Sequence, residues 1–330
     1  LSSIAKEVLY KMEIHTHIDQ FLIEQGFNGS FLFAYEGSVR LCKGYGWADM
    51  EQKRPNDKHT IFKIASIGKQ FTAAAIMLLQ QRGQLDVQDA LAHYVPELPG
   101  LGYVTLHQLL THAAGLDEDV HVNWDVDEDL EPLRLEAMDR IAPTYKVGSF
   151  HYSNFGYALL GLIVERASGR KYETFIHEEL FLPLHMERTG GHLASYLAEK
   201  NRAIGYAEGK AAWKQDIPSY NSAGSILYST VKDLYRWERA FHATQLIGSE
   251  GVRAMFTPHV AIDNERGYGY GWMIYSERRN TAYHNGSLAG FRSTLYRNTD
   301  KDAVLIALSN LGDTGLEPIE RLKQDIASWL

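Results

Sequence analysis

Apolar residues recur along the chain with two different periods. In residues 3–25, Ile4, Val8, Met12, Ile18, Phe21 and Leu22 fall at helical spacing and Gly26 follows, which predicts an amphipathic helix. Residues 30–35 and 38–47 are strand-like runs joined by Glu36-Gly37, a hairpin signal. A short apolar run at 61–65 leads straight into the most apolar helical stretch, 70–82, stopped by Gly83. From there to about residue 239 the pattern is mostly helical pieces and loops, among them 157–168 and 231–241. Strand-like runs return at 271–275, 281–284, 291–297 and 303–309, separated by short polar links that include the glycine-rich 286–290. Such links favour antiparallel pairing. The final stretch, 316–330, reads as a helix whose Ile319, Leu322, Ile326 and Trp329 can cover a sheet.

This order predicts an α+β fold, with one antiparallel sheet built from both chain ends, flanked by helices, and a mainly helical region inserted between them. The expected division is a discontinuous sheet domain (1–69 and 240–330) and a helical region (70–239), with a site in the groove between the two.

Composition narrows the function classes. At 45% apolar residues the 330-residue chain can bury a sizeable core. Its longest apolar run, 72–79, is far short of the roughly 20 residues of a membrane span. A formal charge of −8 argues against nucleic acid as partner, since that is bound through clustered Lys and Arg. The single cysteine, Cys42, excludes an internal disulfide and a Cys-based metal cage. The charge itself is local. Residues 117–131 hold eight carboxylates and no Lys or Arg, and the other 33 acids balance 33 bases. Asp125, Asp127, Asp129 and Glu136 in and after this segment have EF-hand spacing, but Leu130 stands where the sharp turn requires Gly, so a solvated acidic loop is expected. Trp124 within it is either a packing anchor or part of a rim.

No Gly-x-Ser-x-Gly elbow, Walker loop or Gly-x-Gly-x-x-Gly before a helix is present. His177-Glu178 starts a zincin-like pattern whose second ligand position is Phe181, and His15 and His17 read as surface residues. No metal or cofactor is therefore expected. Ser-x-x-Lys occurs four times, from Ser3, Ser66, Ser168 and Ser229. The first lies at a chain end, the third spans a helix stop, and Ser229 begins a capped helix. Ser66-Ile67-Gly68-Lys69 instead follows a strand-like run and opens the most apolar helix, where residues three apart share a face. A hydroxyl beside an amine there is either an activated nucleophile or an ordinary N-cap. Tyr-x-Asn occurs at Tyr152, Tyr283 and Tyr296; the last two fall in expected strands, whereas Tyr152-Ser153-Asn154 lies in a polar turn before a helix. His284-Asn285-Gly286-Ser287 ends an apolar strand and meets a glycine-rich turn, where Gly286 lets a backbone approach a ligand.

These three elements, in order, resemble the Ser-x-x-Lys, Tyr-x-Asn and Lys/His-x-Gly motifs of the serine penicillin-recognising enzymes, in the branch of class C β-lactamases, D,D-peptidases and related esterases. Flanking stretches at 61–69, 104–116, 268–272 and 284–291 are similar too, and the likeness runs from about residue 30 to the C-terminus. It implies a β-lactamase/transpeptidase-like fold and an acyl-enzyme on Ser66. Lys69, with a lowered pKa and shared with Tyr152, would be the base, and Asn154 would orient Lys69 and the substrate amide. The backbone N–H groups of Ser66 and Ser287 would form the oxyanion hole, within the strand segment His284, Asn285, Gly286, Ser287. Position 284 departs from the Lys of the β-lactamases, so the anchor for a substrate carboxylate is weaker and depends on pH between about 5.5 and 7.5. Arg292 reads as solvent-facing and His112 as structural, bridging the loop before Gly115.

The resemblance therefore implies a serine hydrolase acting on small amides, peptides or esters, with weak or no β-lactamase activity. The alternatives are a penicillin-binding or sensor protein that acylates and turns over poorly, a true class C-like β-lactamase, and a binding protein whose motifs are accidental. Relatives of this kind often act outside the cytoplasm; a start at Leu1 is compatible with a removed signal peptide. The acidic loop, if it overhangs the site, would favour neutral or cationic acyl donors.

Overall fold

A computed structural model describes residues 3–118, 141–212, 227–243, 246–278 and 280–329, with side chains from Ile14 onward, those of Leu193 and 327–329 aside. The acidic loop beyond Glu118, with Trp124 and the EF-hand-like Asp125, Asp127, Asp129 and Glu136, lies outside the described residues.

The sheet has eight strands: β1 (Gly29–Tyr35), β2 (Ser38–Tyr45), β3 (Val260–Ala261), β4 (Arg266–Tyr268), β5 (Met273–Tyr275), β6 (Thr281–Leu288), β7 (Phe291–Asn298) and β8 (Ala303–Ser309). Their order is β2-β1-β8-β7-β6-β5-β4-β3 and every neighbouring pair is antiparallel. The first and last strands of the sheet in chain order are thus neighbours, in the register Gly29↔Ser309 to Ala34↔Val304. This is the α+β architecture expected of the resemblance.

The alternation of β1 and β8 explains the layers. Phe31, Phe33, Ala303, Leu305 and Ala307 face a core closed by α1 (Ser3–Glu24) and α6 (Glu317–Trp329), through Ile14, Ile18, Leu22, Ile319, Leu322 and Ile326. Leu32, Ala34, Val304, Ile306 and Leu308 face the opposite core, shared with the inserted helices. Both strands are buried along their whole length because both faces are covered, which is why their sequences read as unbroken apolar runs. Each large apolar side chain so buried contributes roughly 1.5–3 kcal/mol.

The inserted region supplies α2 (Lys69–Gln81), α3 (Leu106–Leu110), α4 (Asn154–Ser168) and α5 (Val231–Ala240). Gly169 ends α4 in the left-handed conformation at φ 70°. Helix α5 packs on β1 and β8, and Glu238 in it, fully buried, holds Arg239 and His242 on its own side and Arg297 of β7. Its N-cap is Thr230, whose hydroxyl accepts from Asp233 N; Ser229, expected in that role, pairs in a two-residue strand with Phe62 instead.

Two differences from the sequence expectation bear on the site. The run 61–65 does not join the main sheet: Phe62–Lys63 pairs with Tyr228–Ser229 in a separate two-stranded ribbon. Strand β6 does not end at His284; it continues to Leu288 in register with β7, and the turn occupies only the residues before Phe291. Strand β5 pairs with β6 only through Met273↔Tyr283 and Ile274↔Ala282. From His284 onward, β6 therefore has no strand on its second side among the described residues.

Candidate active site

Ser66 lies on a single 3-10 turn (Ala65–Gly68) that runs directly into α2. The turn is strained at its first residue, since Ala65 has φ +48°, a conformation L-residues with a Cβ avoid. Strands β6 and β7 hold it there. Ser293 Oγ donates to Ile64 O at 2.7 Å, and Gly286 lies so close that a Cβ on it would sit 2.3 Å from the same oxygen. Gly286 is thus required for packing of the strand against the Ser66 turn, where the sequence suggested close approach to a ligand.

Three residues apart on this turn and helix, Lys69 Nζ donates to Ser66 Oγ at 3.1 Å and to Asn154 Oδ1 at 2.7 Å. Lys69 is 1% exposed, and an ammonium so buried is tolerated only with partners. The ring of Tyr152 adds one at 4.7 Å and that of Tyr157 another at 5.6 Å. Asn154 is the first residue of α4, and its own N–H donates to Glu118 O, which ties the described start of the acidic loop to the site. A serine hydroxyl in this contact can pass its proton to the amine once the amine is neutral, and the cation beside it favours an alkoxide.

His284 is 1% exposed and held at both nitrogens. Nδ1 lies 2.7 Å from Asn285 O, a carbonyl that can only accept, so Nδ1 carries the proton and Nε2 accepts from Tyr268 OH at 3.0 Å. Burial and the nearby Lys69 charge push its pKa down to about 3, against a smaller upward pull from the Asn285 carbonyl. The expected pH-dependent anchor is thereby corrected: His284 is neutral throughout the physiological range. Profiles of kcat/KM between pH 5.5 and 7.5 are expected to have the same shape in the wild type and in His284→Gln; an inflection present only in the wild type would overturn this. The sign for stability is separate. A histidine neutral in the fold and near its usual pKa of about 6.5 when unfolded makes stability fall as pH drops below that value, because the unfolded chain binds the proton.

Alternation along β6 sorts the remaining residues. His284 and Gly286 face the Ser66 turn, while Asn285 and Ser287 face the other side. Asn285 Nδ2 donates to Glu320 Oε1 at 3.2 Å and its Oδ1 accepts from Thr294 at 2.7 Å, so its polar atoms are engaged by α6 and β7. Arg292, expected to face solvent, is half-buried and lines the cleft, with Nη1 donating to Leu288 O and Phe291 O. Tyr283 and Tyr296 pack in the α1/α6 core as expected. The cleft, about 980 Å³, runs along the open edge of β6 past Ser66, Tyr152, Asn154, Ser287 and Arg292 to Glu317.

Sequence reasoning missed the box behind Tyr152. His112, Tyr157 and Tyr268 surround that ring and Lys69, with the His112 ring tilted against Tyr152 at 4.2 Å and 4.6 Å from Tyr268. His112 and Tyr268 lay in stretches the resemblance had marked, 104–116 and 268–272, but nothing local in the sequence joined them to Tyr152 and Tyr157.

A Ser–Lys pair on a helix start, beside an antiparallel sheet edge and a tyrosine, defines the class of β-lactamase-related proteins, generally serine hydrolases. The chain belongs to the Beta-lactamase family, whose profile matches residues 14–327. It is 30% identical over 311 residues to penicillin-binding protein 4* of Bacillus subtilis, covering 86% of this chain and 68% of that one. The putative penicillin-binding protein PbpX of the same organism is 27% identical, over 93% of this chain and 76% of its own length. Among solved structures, the octameric penicillin-binding protein homologue from Pyrococcus abyssi superposes with a TM-score of 0.78 at 29% identity, covering 92% of this chain and 73% of that one.

Proposed function

We propose that the protein is a serine hydrolase that transfers acyl groups from small esters, amides or peptides to Ser66 and then to water. The contact of Ser66 Oγ with Lys69 Nζ, with Asn154 on the same amine, carries this reading. Lys69 and Tyr152 take the hydroxyl proton and return it to the leaving group, and the N–H groups of Ser66 and Ser287 receive the oxyanion. The open edge of β6 suits an extended peptide, whose backbone can pair with it as an added strand. The site is read as the groove between the sheet part (1–69, 240–330) and the helical part (70–239). Incubation with a fluorophosphonate, a chromogenic ester and a fluorescent penicillin, wild type against Ser66→Ala, tests the reading: serine-dependent turnover of the ester supports it, and turnover that survives the substitution sinks it. The names of the relatives favour one second reading, acylation by penicillin with poor release. Stable labelling by the penicillin without ester turnover would select it. A site of action outside the cytoplasm belongs to the same proposal; among the described residues no helix is long and apolar enough to cross a membrane.

Charge narrows the acyl donor. With His284 neutral, the charged side chains among the described cleft-lining residues are Arg292 and four carboxylates, Glu118, Asp313, Glu317 and Glu320. Of two chromogenic esters differing only in an ammonium or a carboxylate, the cationic one is expected to have a kcat/KM about 3–10-fold higher at low salt, a ratio that shrinks as salt is added. Equal rates at low salt would remove the acidic lining from specificity.

A further inference from the structure

Tyr152 lies outside regular structure, just ahead of the α4 N-cap Ser153, so its backbone is not held by a helix or strand ladder. Backbone without such a ladder samples several conformations unless other contacts hold it. One residue ties down both flanks. His112 Nδ1 accepts the N–H of Ser153 at 3.0 Å, and His112 O accepts the N–H of His151 at 2.8 Å. The imidazole also packs against the Tyr152 ring, tilted by 36° with centroids 4.2 Å apart. His112 is 1% exposed and stands behind Tyr152, away from the cleft lining.

Stability does not explain this arrangement. His112 has φ +56°, a strained conformation for a residue with a Cβ. Because Nδ1 accepts, the proton sits on Nε2, and that buried N–H has no hydrogen-bond partner among the described residues, a further cost. Buried and strained features of this kind persist where the geometry they enforce is used.

We infer that His112 is a positioning residue: by clamping the peptide units on both sides of Tyr152, it holds the tyrosine hydroxyl in place for proton transfer with Lys69 and Ser66, without touching substrate. The inference rests on the acyl-Ser66 reading for its consequence but not for its geometry. Its key element is the Nδ1 acceptor. Asparagine places an oxygen where histidine has Nδ1 and tolerates positive φ, so His112→Asn retains the clamp. His112→Phe retains a ring and loses the acceptor, and His112→Ala loses both.

The test combines acylation kinetics with NMR of the protein carrying 13C at the tyrosine ring carbon bonded to oxygen, the Tyr152 signal being assigned with Tyr152→Phe. In His112→Ala and His112→Phe the acylation rate on the chromogenic ester is expected to fall about 100-fold, with KM changed less than about threefold. The Tyr152 signal is expected to move. His112→Asn should recover to within about tenfold of the wild type, with the Tyr152 signal near its original place. If His112→Ala fails to fold, the comparison of Phe with Asn decides. A wild-type rate and an unmoved signal in His112→Phe would overturn the inference, as would His112→Asn behaving like His112→Phe. Failure of the acyl-Ser66 reading shows differently: Ser66→Ala then leaves turnover unchanged, while the Tyr152 signal still reports on the clamp.

Discussion

Ser66→Ala is expected to lose ester turnover by at least about 10⁴-fold while folding normally. The loss is large because the substitution removes the bond-forming atom and leaves only substrate binding and the oxyanion donors. Each such donor is typically worth about 3 kcal/mol of barrier, too little to replace a covalent route. The fold should tolerate the change. Ser66 Oγ accepts a single described hydrogen bond, from Lys69, and Lys69 keeps Asn154 Oδ1 at 2.7 Å. Near-wild-type melting alongside lost turnover, together with a mass increase on the Ser66 peptide after fluorophosphonate treatment of the wild type, would assign the nucleophile. Turnover at the wild-type rate in Ser66→Ala would exclude it.

The parts of the fold that the sequence made legible are those with an uninterrupted period. Strands β1, β7 and β8 and helices α1 and α6 follow from apolar patterning because each is covered by a core, while β2, mostly exposed at the sheet edge, was placed by the Glu36-Gly37 turn. Strands β3 and β4 were not legible. Val260–Ala261 and Arg266–Tyr268 are too short to show a period, and their neighbours form them. The extension of β6 was hidden by Gly286, which in isolation reads as a turn residue and in the fold is a packing residue. Ser66, Lys69, Tyr152 and Asn154 could be picked out because local spacing and context distinguish them, and the structure brings them together. The charge state of His284 could not be read. It depends on complete burial and on Lys69, which is 215 positions away in the chain. The same holds for Arg292, whose guanidinium is turned along the cleft wall by the carbonyls of Leu288 and Phe291, and for His112, whose partner Ser153 comes from another segment.

Gly286→Ala is expected to lower kcat by about 10³-fold with little change in KM, and to lower stability by about 1–3 kcal/mol. A Cβ built on Gly286 would lie 2.2 Å from Ser293 Oγ, 2.3 Å from Ile64 O and 3.1 Å from Ala65 Cβ. Ile64 O is main chain and Ser293 Oγ is already bonded to it, so the contact cannot be relieved by swinging a long side chain aside. Either β6 moves away from the Ala65–Gly68 turn or the turn moves away from β6. Both displacements separate the N–H of Ser287 from that of Ser66, the two donors proposed to meet the oxyanion. Loss of one such donor alone accounts for about 10²–10³-fold, and a shifted nucleophile adds to it. In the proposed reading a substrate paired along the open edge of β6 touches residues beyond this contact, which is why the effect should appear in kcat. Ser293→Ala in the same chain removes one of the three clashes and is expected to restore part of the stability but little of the rate, because the Ile64 carbonyl still stands in the way. Full activity in Gly286→Ala would show that the strand's hold on the nucleophile's turn is not what sets the oxyanion geometry.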